Sequence, residues 1–66
     1  MMKEMYKYNV SGYYKVNGTE EEKYFNEDVC AVDNIVAMQM VLGKVAWEES
    51  LEGNSVLFDR FHYEVL

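Results

Sequence analysis

"YYKVNGTEEEKYF", residues 13–25, decides how this chain folds. Asn17-Gly18 separates two runs rich in tyrosine, valine and phenylalanine. An Asn-Gly pair favours a two-residue type I′ turn, because both residues tolerate positive φ. A two-residue loop sets the pairing: Val16 faces Thr19, Lys15 faces Glu20, Tyr14 faces Glu21, Tyr13 faces Glu22 and Val10 faces Phe25. That register keeps Phe25 on the same face as Val10 and Tyr8, as the apolar pattern requires. It puts Tyr13 and Tyr24 on the opposite face as diagonal neighbours, beside a Lys15–Glu20 pair. Glu21 and Glu22 are left without a cross-strand partner. Charges there also protect an edge strand from sheet-to-sheet aggregation.

On the N-terminal side, residues 5–16 alternate with the period of a half-buried strand. Tyr6, Tyr8, Val10, Tyr14 and Val16 share one face with Gly12; Lys7, Asn9, Ser11, Tyr13 and Lys15 take the other. Gly12 interrupts the apolar series and marks a bulge or a close approach by another backbone. On the C-terminal side, residues 29–51 have a helical pattern, with Asp28 or Asp33 as N-cap and a start between 29 and 34. Its apolar arc is about twice the 100° that one sheet requires. Val36, Met40 and Trp47 lie near one edge of the arc; Ile35, Met38, Leu42, Val45 and Ala46 lie near the other. Gly43 lies inside it, and Gly53 or Asn54 suits a left-handed cap. Residues 55–66 read as a third strand. Leu57, Phe61, Tyr63 and Val65 share one face, and Phe58, Arg60, His62 and Glu64 the other. Aromatics on both faces predict cover on both sides.

The order is ββαβ: a single α+β domain over residues 1–66, with a hairpin at about 4–26, a helix at about 29–51 and a third strand at about 55–66. The simplest arrangement is a three-stranded antiparallel sheet of order 2-1-3 with the helix on one face. A 66-residue chain buries only about 60% of its unfolded surface. One cysteine and one histidine permit neither an internal disulfide nor a Cys/His zinc site within one chain. The open sheet face and the surplus helix arc therefore predict a homodimer or a bound partner. Ile35, Met38, Leu42 and Trp47 are the candidate oligomer interface.

Twelve acids against six bases leave a net charge of −6. That disfavours direct nucleic-acid binding, which needs clustered Lys and Arg, and favours a basic partner. There is no 18-residue apolar span, and "MMKEMYKYNV" lacks the apolar run of a signal peptide; the expectation is a cytoplasmic protein with no membrane segment. The two Asn-X-Ser/Thr sequons, at Asn9 and Asn17, have no role without secretion. Cys30 sits among Val29, Ala31 and Val32 and reads as a small core residue. Cys30 and His62 lack a third, orienting group. No phosphate loop, dinucleotide motif or EF-hand is present. Glu20, Glu21 and Glu22 alternate faces and do not converge on a cation. No enzyme activity, metal or cofactor is expected. Met38, Met40 and Trp47 recur at helical spacing and read as core. Tyr13, Tyr14 and Tyr24 beside Glu20, Glu21 and Glu22 make the candidate partner-binding surface, since tyrosine gives rigid contact area with a polar tip. The alternatives are a self-assembling accessory protein acting as a homodimer, or a small-molecule sensor using Trp47, Met40 and His62 in a dimer cleft.

In size, in its acid clusters Glu20-Glu21-Glu22, Glu27-Asp28 and Glu48-Glu49, and in its ββαβ order, the chain resembles the small acidic inhibitors encoded by phages, including anti-CRISPR and other anti-defence proteins. The resemblance matches no motif and brings no functional residue with it. It implies a stoichiometric inhibitor in the host cytoplasm. Such a protein blocks a nucleic-acid-binding site of a host defence protein or holds a nuclease complex inactive.

Overall fold

A computed structural model describes residues 4–66. Strands β1 (Tyr6–Val16) and β2 (Glu22–Ala31) precede helix α1 (Asn34–Ser50) and strand β3 (Val56–Val65). The sheet is antiparallel in the expected order, β2-β1-β3, and α1 packs on one face of it.

The hairpin register differs from the expected one by two residues. Lys15 pairs with Glu22, Tyr13 with Tyr24, Gly12 with Phe25 and Val10 with Glu27. The cause is the turn. Gly18 has φ +90°, but Asn17 does not have positive φ, so the turn is not type I′. The Thr19 N–H and hydroxyl both bond the Val16 carbonyl, at 3.0 and 2.8 Å. Negative then positive φ is the type II pattern, whose twist does not match that of paired strands. Residues 17–21 therefore form a longer connection. A slip of two keeps every side chain on its own face, so the apolar pattern cannot detect it. The expected Lys15–Glu20 pair is absent, and Tyr13 and Tyr24 stand directly opposite one another.

β2 also runs further than expected. Val29 packs against the core and Ala31 is buried in it, while Asp28 and Cys30 point outward, so the strand's alternation continues to Ala31. Cys30 is exposed rather than a core residue. Asp33, not Asp28, is the N-cap: its backbone is extended and its carboxylate accepts the Val36 N–H at 2.9 Å. Gly53, at φ +80°, supplies the left-handed residue after the helix.

Gly12 answers to both of its expected roles. Between Gly12 and Tyr14 the β1–β3 register shifts by one residue, with Asp59 and Arg60 lying against Tyr13. A Cβ at position 12 would collide with the Arg60 carbonyl oxygen and with Cα and Cβ of Phe61. The bulge resets the alternation of β3. Phe58 pairs with Tyr14 on the helix side and Leu57 pairs with Lys15 on the other, the reverse of the expected assignment. Phe61, Tyr63 and Val65, opposite Gly12, Val10 and Tyr8, return to the helix side.

The core is then assembled from aromatic sheet residues and small helix residues. Tyr14, Phe25 and Phe58 form a triangle with ring centroids 5.8–6.2 Å apart. Against them α1 buries Ala37, Val41 and Val45, one turn apart, which lets the helix lie close to the sheet. The buried stripe is narrow. Met38 and Leu42 pack at its margin, while Met40 and Trp47 stand 48% and 64% exposed, so the latter two are surface residues and not core. Gly43 lies on this outer side with open space where a Cβ would be. Replacing Gly12 by Ala is expected to cost about 1–3 kcal/mol through overpacking. Gly43→Ala is expected to stabilise by about 0.5–1 kcal/mol through helix propensity. Urea unfolding midpoints of the two variants, moving in opposite directions from the parent, check both.

Candidate functional site

The hairpin connection, the C-terminal turn of α1 and the start of β3 meet at one end of the molecule. The Asn17 N–H donates to the Ser55 carbonyl at 2.8 Å and ties the first of these to the last. This brings two acid clusters distant in sequence, Glu20–Glu22 and Glu48–Glu52, to a common pole. The last turn of α1 carries Glu48 and Glu49 and no basic residue. The negative end of a helix dipole disfavours such acids, so helix stability does not explain them.

Glu49 is the structural member of the group. Its side chain is buried and accepts from the Tyr14 hydroxyl at 2.6 Å, from Asn54 Nδ2 at 3.1 Å and from Lys23 Nζ at 3.2 Å. A buried carboxylate tolerates its environment only when its lone pairs are met in this way. The hydrogen bond from Tyr14, followed by those from Asn54 and Lys23, holds the Glu49 carboxyl below the usual glutamate range. Burial, followed by the bond to Glu49, pushes the Tyr14 phenol up to about 12. The same carboxylate raises Lys23. Glu21 adds to the shifts of both Tyr14 and Lys23, an electrostatic sign that the hairpin acids stand near this network.

The remaining acids are free of it. Glu20, Glu21, Glu48 and Glu52 are exposed and pair with no cation among the described residues. Glu22, expected to be unpartnered, instead accepts from Arg60 at 3.3 Å on the sheet face away from the helix. Beside the pole a groove of about 360 Å³ runs between α1 and β2. Its lining includes Tyr14, Phe25 and Val45, with Glu27, Glu48 and Glu49. Lys44 pairs with Glu27 at 3.2 Å across that gap.

The candidate partner-binding residues are thus divided. Glu20 and Glu21 are at the pole, and Tyr24 is exposed at its margin. Tyr14 is buried and committed to Glu49, so it is unavailable as contact surface. Tyr13 lies on the far face, 5.2 Å from the Tyr24 ring and 4.5 Å beneath the Arg60 guanidinium. That far face, expected to be open and partly apolar, is largely a polar network: Asn9 donates to Asn26 and Asp28, Asn26 to Tyr24, and Ser11 bonds His62 at 3.2 Å. Of the four candidate interface residues, Ile35, Met38 and Leu42 lie within about 60° of one another around the helix and Trp47 lies apart. Met38 and Leu42 lie against the core, and Ile35 and Trp47 are exposed about 120° apart around the helix. Glu48 and Glu52 are members of the pole that sequence reading did not assign; the acid pair Glu48-Glu49 was its only signal.

Among the described residues no three His, Cys, Asp or Glu side chains converge on a point that could hold a metal ion, and no helix is long and apolar enough to cross a membrane. No family model, curated protein or solved structure matches the chain.

Tyr14→Phe is expected to lower stability by about 1–2 kcal/mol at neutral pH, since it removes one charge-assisted hydrogen bond. The folded-state value of Glu49 is depressed, so its contribution is complete above the ordinary glutamate value of 4.5 and is lost as pH falls through the depressed one. The stability gap between wild type and Glu49→Gln should be constant near neutrality and shrink as pH falls below the usual glutamate range. Thermal melts across an acid pH series check this.

Proposed function

We propose that this chain is a non-enzymatic protein-binding module whose acidic pole docks on a basic surface of another protein. The observation that carries the reading is the convergence of Glu20, Glu21, Glu48 and Glu52, all exposed and unpaired among the described residues, on one end of the fold. None of these four carboxylates makes a hydrogen bond or ion pair among the described residues, and the hairpin connection that holds Glu20 and Glu21 is tied to the segment after α1 by the Asn17–Ser55 backbone hydrogen bond. A concentrated negative pole steers a positively charged partner and repels nucleic acid. The adjoining groove carries the unpaired Glu48 carboxylate beside apolar walls at Phe25 and Val45, chemistry suited to one lysine or arginine side chain of that partner. Surfaces that normally hold DNA or RNA are the commonest strongly basic ones. The reading extends to a phage-type inhibitor that occupies such a surface on a host defence protein.

The test is affinity capture from lysate of the native host, eluted with a salt gradient and read by mass spectrometry. Wild type should retain one stoichiometric basic protein that moderate salt releases. The exposed quadruple variant Glu20→Gln, Glu21→Gln, Glu48→Gln, Glu52→Gln should bind that protein about tenfold more weakly or worse, with unchanged circular dichroism. Equal affinity of the two forms would overturn the assignment of the pole.

A further inference from the structure

β3 pairs with β1 along one side only, and its other side is an open edge. The Leu66 N–H donates to the Lys7 carbonyl at 2.9 Å. Antiparallel alternation then aims the backbone groups of Glu64 and His62 inward, and those of Phe61, Tyr63 and Val65 outward. The same three residues carry exposed apolar side chains, at 41%, 43% and 59%. They lie on the helix side of the sheet, yet α1 does not cover them. Its Lys44 flank leans over β2, toward Glu27.

The two edges of the sheet are treated differently. β2 presents Glu22, Lys23, Glu27 and Asp28, and the Lys23–Glu49 and Lys44–Glu27 pairs cross from it to the helix. Such charges discourage pairing with another chain. The first half of β3 is blunted by its bulge at Asp59 and Arg60. Residues 61–65 have neither protection. Their only charged or titrating side chains apart from Tyr63 are His62 and Glu64, both exposed and both on the far face.

We propose that residues 61–65 are the self-association edge of this protein, joining two copies through antiparallel β3 strands into one continuous six-stranded sheet. A two-fold axis through Tyr63 satisfies every group named. Tyr63 pairs with Tyr63 of the second copy, and Phe61 with Val65 of the second copy, each pair exchanging outward N–H and carbonyl groups. On the helix side this sets aromatic and branched side chains against one another. On the far face it sets the His62 imidazole opposite the Glu64 carboxylate of the second copy, twice, a ring N–H donor against an acceptor, so the edge is complementary to itself although each chain is acidic. A register shifted by two residues moves the axis to His62 or to Glu64 and brings fewer of these groups into match. The axis at His62 sets His62 against itself and finds for Glu64 only Arg60, which the bulge already holds over Tyr13 and against Glu22; the axis at Glu64 sets two carboxylates against each other and leaves His62 opposite Leu66. The proposal is independent of the acidic-pole reading. The pole lies at the other end of a molecule 45 Å long, so the dimer leaves both poles free and facing apart.

Sedimentation equilibrium from low micromolar to near-millimolar concentration is the first test, with twice the chain mass of 7.8 kDa expected at the upper end. His62→Glu and Glu64→Lys should each weaken self-association about tenfold: the first places two carboxylate pairs across the axis, and the second removes both carboxylate acceptors facing His62. Mixing the two variants should restore it. In the mixed dimer the introduced glutamate faces the introduced lysine, and the native His62 of one copy faces the native Glu64 of the other. A role confined to the monomer cannot produce that rescue. In a Cys30→Ser background, Tyr63→Cys should oxidise to a linked dimer while Leu57→Cys, on the blunted half of the strand, should not. A chain that stays at 7.8 kDa throughout, or a dimer indifferent to both charge variants and their mixture, would overturn the proposal.

Discussion

The β1 backbone at Gly12 lies so close to β3 that no side chain fits between them. Most of the structure depends on that approach. It permits the bulge in which Asp59 and Arg60 share the space opposite Tyr13, and the bulge advances β3 by one residue. Without it Phe58 would face away from the helix and the Tyr14–Phe25–Phe58 triangle would lose a corner. With it the aromatic residues of β3 gather on one side. Arg60 is left over Tyr13 and within reach of Glu22, which anchors the far face.

The carboxylates do two kinds of work. Glu49 is held inside by three donors from three parts of the chain, and it locks the end of α1 to β1, β2 and the following loop. The cost of burying that charge is offset by charge-assisted bonds, which are the stronger kind. Glu20, Glu21, Glu48 and Glu52 make no hydrogen bond in it. They sit around a helix C-terminus whose own dipole repels them, and the fold gains nothing from their company. Charge maintained against the preference of local structure is the feature that directs attention to a partner.

The core is small. Nine of the described residues are buried hydrophobics, and four of the nine are Ala or Val from α1 and the end of β2. A domain of this size is marginal unless further apolar surface is covered. Phe61, Tyr63 and Val65 on the β3 edge, and Met40 and Trp47 on the outer side of α1, are among the apolar residues still uncovered. The first of these coincides with free backbone groups and a self-complementary His62–Glu64 pairing, which is why it carries an argument that the helix stripe does not.

Element order, strand faces in β1 and sheet order were legible in the sequence, because they rest on period-two alternation in residues 6–16, on a turn at Asn17-Gly18 and on handed, short connections. So were the special status of Gly12 and the excess of negative charge. The hairpin register was not. A slip of two leaves all faces unchanged, and Asn17-Gly18 suits more than one turn type. The faces of β3 were inverted at Leu57 and Phe58 because a bulge adds one residue without any mark in its own strand; only the contact with Gly12 reveals it. Cys30 and Tyr14 were misplaced for a related reason, since exposure depends on where a strand ends and on which partner a hydroxyl finds. The acidic pole was visible as separate clusters but not as a site. Composition sets the total charge of this chain, whereas only the packing of α1 against the hairpin brings Glu20 and Glu21 to the same end as Glu48 and Glu52, more than 25 residues further along the sequence.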